Sequence, residues 1–406
     1  MTSHDDFFQK KKPAAVLKHR LLAEYTRVFA SMVGSRVSGP IWIIDGYAGA
    51  GAYEDESGQP SAEGSPLVVL RTTASLRSRD VRAVFIESDP DLARKLDANV
   101  EPFRQLGRQV SVLNGDVHSR IAEAWALVAG QPVVTFLDPF GVAMQRDTMC
   151  GLLLNRRPGE RPSEVLLNIN LEAVRRIGGN LELRRGEVVP KLGQEAGVER
   201  ADAFFGGDWW RRHFFENRLD SASAALAANA VIDEYRRQVK SLTGRDSMSI
   251  EVRRRPNHLP LFLLTLFYSH PVAGYKFADA AARATASWRA AFLAEELDDL
   301  EQAPETLFGR ESDAAMVEAD FKRQEARLRQ EWVDLICENI LKTPGASLEV
   351  SSDLLSILGS TIGLAGESQL KSAWDRLASA GQVAPRDKSR EVHKQRIIPV
   401  QSVDRA

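Results

Sequence analysis

The run Ile41-Trp42-Ile43-Ile44-Asp45 passes directly into Gly46-Tyr47-Ala48-Gly49-Ala50-Gly51. A continuous apolar, β-branched stretch has no polar face for water, so it predicts a strand covered on both sides, as in a parallel sheet. A parallel strand must be followed by a crossover. Here the crossover opens on glycines, which take positive φ and let another molecule approach the backbone closely. The pattern is Asp-x-aromatic-x-Gly-x-Gly, with Asp45 and Tyr47 in its first two fixed places. It differs from the Gly-x-Gly-x-x-Gly loop, in which a phosphate rests on a helix N-terminus. An acid at the root of the loop suits a cationic, phosphate-free ligand such as S-adenosylmethionine; another ligand or a purely structural turn are the alternatives.

Three further segments repeat the theme of an apolar strand closing on an acid. Val81 to Glu87 predicts a second strand, and Glu87 stands where ribose hydroxyls of a cofactor would be received. Asp89 competes for that role or caps the helix that Pro90 begins. Val110 to Asp116 predicts a third, with Asp116 placed to accept from an adenine amino group. Val133 to Asp138 predicts a fourth and leads into Pro139-Phe140-Gly141. A carboxylate and the carbonyl of Pro139 at a sheet mouth both accept from an exocyclic amine, which leaves the nitrogen lone pair free to meet a methyl donor. Phe140 is a candidate for stacking on a flat base; as plain structure, Asp138 would cap the next helix and Phe140 would be core. In the fifth strand, Asn168 and Asn170 alternate with apolar residues and face one side, and Arg175-Arg176 follows.

Residues 180 to 245 break the strand–helix rhythm and read as helical, with Phe204, Phe205, Trp209, Trp210, Phe214 and Phe215 either a stacking platform for bases or the core of an inserted subdomain. Met248–Val252 and Leu261–Tyr268 complete the sheet, with Arg253-Arg254-Arg255 between them. An arginine run is a phosphate-contact candidate, though most are simply solvated. Before the sheet, residues 13 to 33 predict an amphipathic helix whose start, from Lys10 to Arg20, is basic. The polar segment from Tyr53 to Gly64 lies over the glycine loop, as a lid or an inert excursion. Ser65-Pro66 then predicts an N-cap and a first-turn proline.

At 406 residues the chain exceeds one usual domain. A formal net charge of −2 gives no global pull toward nucleic acid or anionic membrane, so any such surface is local. Two distant cysteines, Cys150 and Cys337, exclude a disulfide scaffold and a cysteine zinc site. With no apolar span of membrane length and no leader core, a cytoplasmic location is expected, with no membrane partner. Residues 301–330 predict a charged helical connector. Residues 331–406 predict three helices and a basic hairpin bearing Lys388 and Arg390, the outline of a winged helix, with DNA reading and protein docking as rival uses.

On Asp45 to Gly51, Gly64-Ser65-Pro66, Phe85-Ile86-Glu87, Leu137 to Gly141 and Leu167 to Asn170, the chain resembles class I S-adenosylmethionine methyltransferases, and more narrowly the three-Cys-motif partner protein family. The resemblance covers roughly residues 13 to 300. It implies an α/β, Rossmann-like seven-stranded sheet over residues 1–300 with a helical insertion at about 180–245, plus a small winged-helix-like C-terminal domain. It also implies S-adenosylmethionine held by Asp45, Tyr47, Gly49, Gly51, Glu87 and Asp116, with transfer to an amino group of a nucleic-acid base or similar planar substrate at Asp138, Pro139 and Phe140. Asn168, Asn170, Arg175, Arg254, Lys388 and Arg390 would contact substrate or nucleic acid, DNA or RNA, and no metal is called for. A separate protein with a three-cysteine motif is the implied partner. A non-catalytic adaptor or a DNA-binding regulator on the same fold are the other readings. Amino-group methyltransferases usually have a second proline at the place of Phe140 and an aromatic at that of Gly141.

Overall fold

A computed structural model describes residues 13–54, 60–76, 78–139, 141–157, 159–218, 223–302, 310–342 and 347–400. The chain divides into two compact units, residues 26–269 and residues 1–25 with 270–406. The helical stretch after residue 270 therefore belongs with the C-terminal part.

The unit of residues 26–269 is built on seven strands: β1 (Ile41–Asp45), β2 (Val81–Glu87), β3 (Val110–Asn114), β4 (Val133–Leu137), β5 (Ser163–Asn170), β6 (Asp246–Val252) and β7 (Phe262–Tyr268). They stand in the order β6-β7-β5-β4-β1-β2-β3. The β3-β2-β1-β4-β5 block is parallel, and β7 is antiparallel to both β5 and β6. This is the Rossmann-like seven-stranded sheet expected from the sequence, with the strand order running outward from β1 in both directions. Alternation within single strands builds the two faces. Val84 and Ile86 belong to one apolar cluster, and Ala83 and Phe85 to the other. All five residues of β1 and of β4 are buried. Each large side chain removed from water in this way contributes roughly 1.5–3 kcal/mol.

Register fixes what meets at the carboxyl edge. Asp45 pairs with Phe85 and Phe136, so β1 ends two residues short of Glu87 and of Asp138. Leu137 pairs with Leu167, which brings the next residues, Asp138 and Asn168, side by side. Phe262 pairs with both Asn170 and Val252, so the segment from Arg253 to Leu261 crosses at this same edge.

The region from 180 onward is not helical throughout. Leu181–Arg184 and Glu187–Pro190 form an antiparallel hairpin. Its two loop residues, Arg185 and Gly186, take φ of 52° and 87°, the two-residue turn that matches strand twist. Helices α6 (Glu195–Phe205), α7 (Trp209–Asn217) and α8 (Ala224–Thr243) follow α1 (Pro13–Gly34), α2 (Ser65–Ala74), α3 (Pro90–Gln105), α4 (Val117–Val128) and α5 (Leu171–Gly178). Phe204, Phe205, Trp210 and Phe214 are fully buried, and Phe204 stacks on Tyr235 with centroids 5.3 Å apart. These aromatics are core and offer no platform for bases.

In the other unit, α9 (Pro271–Gln302) and α10 (Arg310–Leu341) are joined by a buried ion pair, Arg289 Nε to Glu325 Oε1 at 2.5 Å. The Arg289 guanidinium also lies 5.0 Å from the Trp332 ring centroid. Of residues 301–330, expected to be a connector, 301–302 end α9 and 310–330 form most of α10, while 303–309 lie outside the described residues. Leu348–Glu349 pairs with Arg396–Ile397, α11 (Leu354–Leu358) and α12 (Glu367–Ser379) intervene, and Val383 bridges to Pro399. Trp374 of α12, 1 % exposed, donates its indole N–H to the Ala384 carbonyl at 2.8 Å. Among the described residues no helix is long and apolar enough to cross a membrane, and no cluster could hold a metal ion.

Candidate active site

The glycine loop is tied into the sheet at each step. Gly46 N–H donates to Phe136 O at 2.9 Å and Ala48 N–H to Ile86 O at 3.0 Å. A Cβ at Gly46 would stand 2.7 Å from Leu137 Cδ2, so a side chain there would force Leu137 to shift. Gly49 and Gly51 have φ of 62° and 79°. A Cβ at Gly49 would meet nothing within 4 Å, so the space above this backbone is open. Two supports were not legible in the motif: Asn99 of α3 donates to Ala50 O at 2.8 Å, and Gly64 N–H donates to Gly51 O at 2.7 Å. The Tyr53 segment is the hairpin Ala52–Glu54 with Pro60–Glu63, which returns the chain to Gly51. Gly64, rather than Ser65, is the N-cap of α2.

Three of the four strand-end acids sense one another. Asp45 is fully buried, and burial pushes its carboxyl up to about 7; the Ser65 hydroxyl and Tyr47 amide oppose the rise, and the charges of Asp138 and Glu87 add to it. Oδ1 accepts from Tyr47 N–H at 3.1 Å, whereas Oδ2 accepts no hydrogen bond from the described residues. The Ser65 hydroxyl lies close to this carboxylate. Glu87 takes Gly49 N–H on Oε2 at 2.7 Å and Asp89 N–H on Oε1 at 2.8 Å, so it both faces the loop and fixes it. Asp89 caps α3 through Asp91 and Leu92. Asp116 caps α4 by accepting from His118 N–H at 2.8 Å, with its side chain exposed. Burial raises the Tyr47 hydroxyl pKa and Asp116 adds to this; that hydroxyl is buried and has no hydrogen-bond partner among the described residues.

Asp138 does not cap a helix, since the next helical turn begins at Arg146. Instead its Oδ1 accepts from Asn168 Nδ2 at 2.6 Å. Asn168 is 1 % exposed, and its Oδ1 has no hydrogen-bond partner among the described residues. His118 steadies the segment beyond Asp138, with Nε2 2.8 Å from Ala143 O. Pro139 is buried, and Phe140 lies outside the described residues. Tyr53, which motif reading passed over, is 52 % exposed. Desolvation at its hydroxyl raises that pKa, and the nearby charges of Asp138 and Asp45 raise it further.

The remaining candidates separate. Asn170 caps α5, accepting from Ala173 N–H at 2.9 Å. Arg175 donates to Pro260 O at 3.2 Å, and Arg254 is exposed, with Glu172 4.0 Å away. Lys388 and Arg390 are exposed residues of the other unit. There, Arg376 of α12 pairs with Asp334 and Arg386 with Asp375.

No protein-family model matches the chain, and no curated protein does. Solved structures do resemble it. PH0793 of Pyrococcus horikoshii, provisionally named a transferase, matches at 12 % identity and a TM-score of 0.25 over 60 % of this chain and 63 % of its own. This chain thus spans less than two thirds of that protein. Mycolic acid cyclopropane synthase CmaA1 in its apo form matches at 16 % identity and a TM-score of 0.25, over 57 % of this chain and 83 % of its own. YjhP from E. coli matches at 12 % identity and a TM-score of 0.25, over 64 % and 98 %. Likeness at this level carries no statement about activity; the fold rests on strand order and direction.

Proposed function

We propose that the unit of residues 26–269 binds S-adenosylmethionine and directs methyl transfer to an amino nitrogen of a planar acceptor, in the first instance a nucleic-acid base. The observation that carries this reading is the meeting of Asp45, Glu87 and Asp138 at the carboxyl edge of three adjoining strands, beside an open glycine loop. Buried and unpaired acceptor atoms are costly unless something satisfies them, and a cationic sulfonium nucleoside brings both charge and donors. Bound there, it supplies an electrophilic methyl group. Gly49 and Gly51 give it backbone room, and Glu87 and Asp116 are the acceptors for its hydroxyls and amine. Asp138, held by Asn168, and the Pro139 carbonyl orient the acceptor amine; catalysis is then mainly positioning.

Calorimetric titration with S-adenosylmethionine tests the reading. Wild type binds; Glu87→Gln weakens binding by tenfold or more. Asp138→Ala keeps the cofactor and lowers transfer of labelled methyl to nucleic acid by at least a hundredfold. No binding by wild type sinks the proposal. A second reading has one observation in its favour. Arg376 and Arg386 of the C-terminal unit are already spent on acids, which suits docking of a protein, such as the three-Cys-motif partner, better than reading of DNA.

A further inference from the structure

Charge is sorted along the sheet edge. Glu87, Asp45 and Asp138 occupy the ends of β2, β1 and β4, whereas the segment joining β6 to β7 at the same edge carries Arg253, Arg254 and Arg255. Strands lie about 4.8 Å apart, so β4 and that segment are separated by roughly 10–15 Å. The segment is held in place. Leu171 N–H donates to Leu261 O at 2.9 Å, Leu261 N–H donates to Val252 O at 2.8 Å, and Arg175 reaches Pro260 O. Arg253 is paired with Glu251 and donates to the His258 carbonyl. Arg254 is 65 % exposed in its side chain, and its contact with the 60 % exposed Glu172 is long, at 4.0 Å. An exposed pair of that kind holds its partners weakly, so another anion displaces it at little cost.

We infer that the acceptor is carried on a phosphodiester strand, whose phosphates lie along the Arg253–Arg255 segment while the reacting base sits at Asp138. The inference rests on the methyltransferase reading above and adds the class of substrate and its path. The two ligands have opposite charge and the edge has opposite charge at its two ends. A sulfonium is drawn to the acidic end, and a polyanion repelled from that end is drawn to the arginines. Placing the phosphates there assigns strand binding to residues 26–269 and takes it away from Lys388 and Arg390.

The probe is a labelled single-stranded oligonucleotide of mixed sequence, as DNA and as RNA, titrated by fluorescence anisotropy at several salt concentrations. Each phosphate contact contributes about 0.7 to the slope of log affinity against log salt. Arg254→Ala with Arg255→Ala should lower that slope by about 1 to 1.5 and weaken binding about tenfold at moderate salt. Lys388→Ala with Arg390→Ala should change neither, and calorimetric binding of S-adenosylmethionine should be unchanged in both variants. A wild type with no salt-dependent affinity for either strand overturns the inference, as does a slope that falls only with Lys388 and Arg390. Displacement of the strand by inorganic phosphate at equal phosphate concentration overturns it too, since a lone anion site would then suffice. Loss of cofactor binding in the wild type instead strikes the methyltransferase reading itself.

Discussion

At the scale of single residues, Asp45 is strongly conditioned by its surroundings. Its carboxyl ordinarily titrates at 3.8 and in the folded chain at about 7, chiefly because it is buried. The folded state therefore holds the proton longer than the unfolded chain. Stability is greatest below about 4 and falls as pH rises to about 7, for a total of roughly 4 kcal/mol. Asp45→Asn keeps the acceptor for Tyr47 N–H and removes the ionisation. It should exceed wild type by about 2 kcal/mol at pH 8 in urea unfolding, with the advantage shrinking by pH 5. An advantage equal at both pH values would mean that Asp45 is not the titrating group. The same carboxyl should link cofactor to pH: a bound cation favours the ionised form, so affinity should climb through pH 7 in wild type and stay level in Asp45→Asn.

At the scale of elements, the glycine loop depends on the hairpin that follows it. Gly64 is extended, with φ −81° and ψ 179°, so its backbone does not require glycine. Space does, because a Cβ would stand 3.0 Å from Gly51 O. Gly64→Ala should push the two backbones apart, at about 1–2 kcal/mol by thermal unfolding, and weaken S-adenosylmethionine binding by tenfold or more. Unchanged affinity would show that the hairpin does not shape the loop. The strands were legible because covered parallel strands must be apolar throughout, and the acids stood out because they end such runs. The Gly64–Gly51 contact was not, since nothing local marks two glycines as neighbours across a polar hairpin. Nor was the 181–190 hairpin, whose short strands are rich in charge and whose turn places Arg185 at positive φ. Asn168 was legible as a polar residue at the site but not as the partner of Asp138, which follows only from register.

At the scale of the whole molecule, the division at residue 269 separates what the sequence ran together, because α9 is as apolar as a domain-closing helix and gives no sign that it packs with the tail. The unit that contains it has its own internal tie in Arg289 and Glu325, 9 % and 8 % exposed. Two charges taken out of water together gain little over an apolar pair, but one left alone is expensive. Glu325→Ala should therefore cost this unit about 3–5 kcal/mol, seen as a lowered melting transition, while calorimetric binding of S-adenosylmethionine by residues 26–269 persists. Arg289→Met with Glu325→Leu should recover most of that loss. If the single substitution abolished cofactor binding at a temperature where both units remain folded, the two units would be functionally coupled. The cofactor site would then not be a property of residues 26–269 alone.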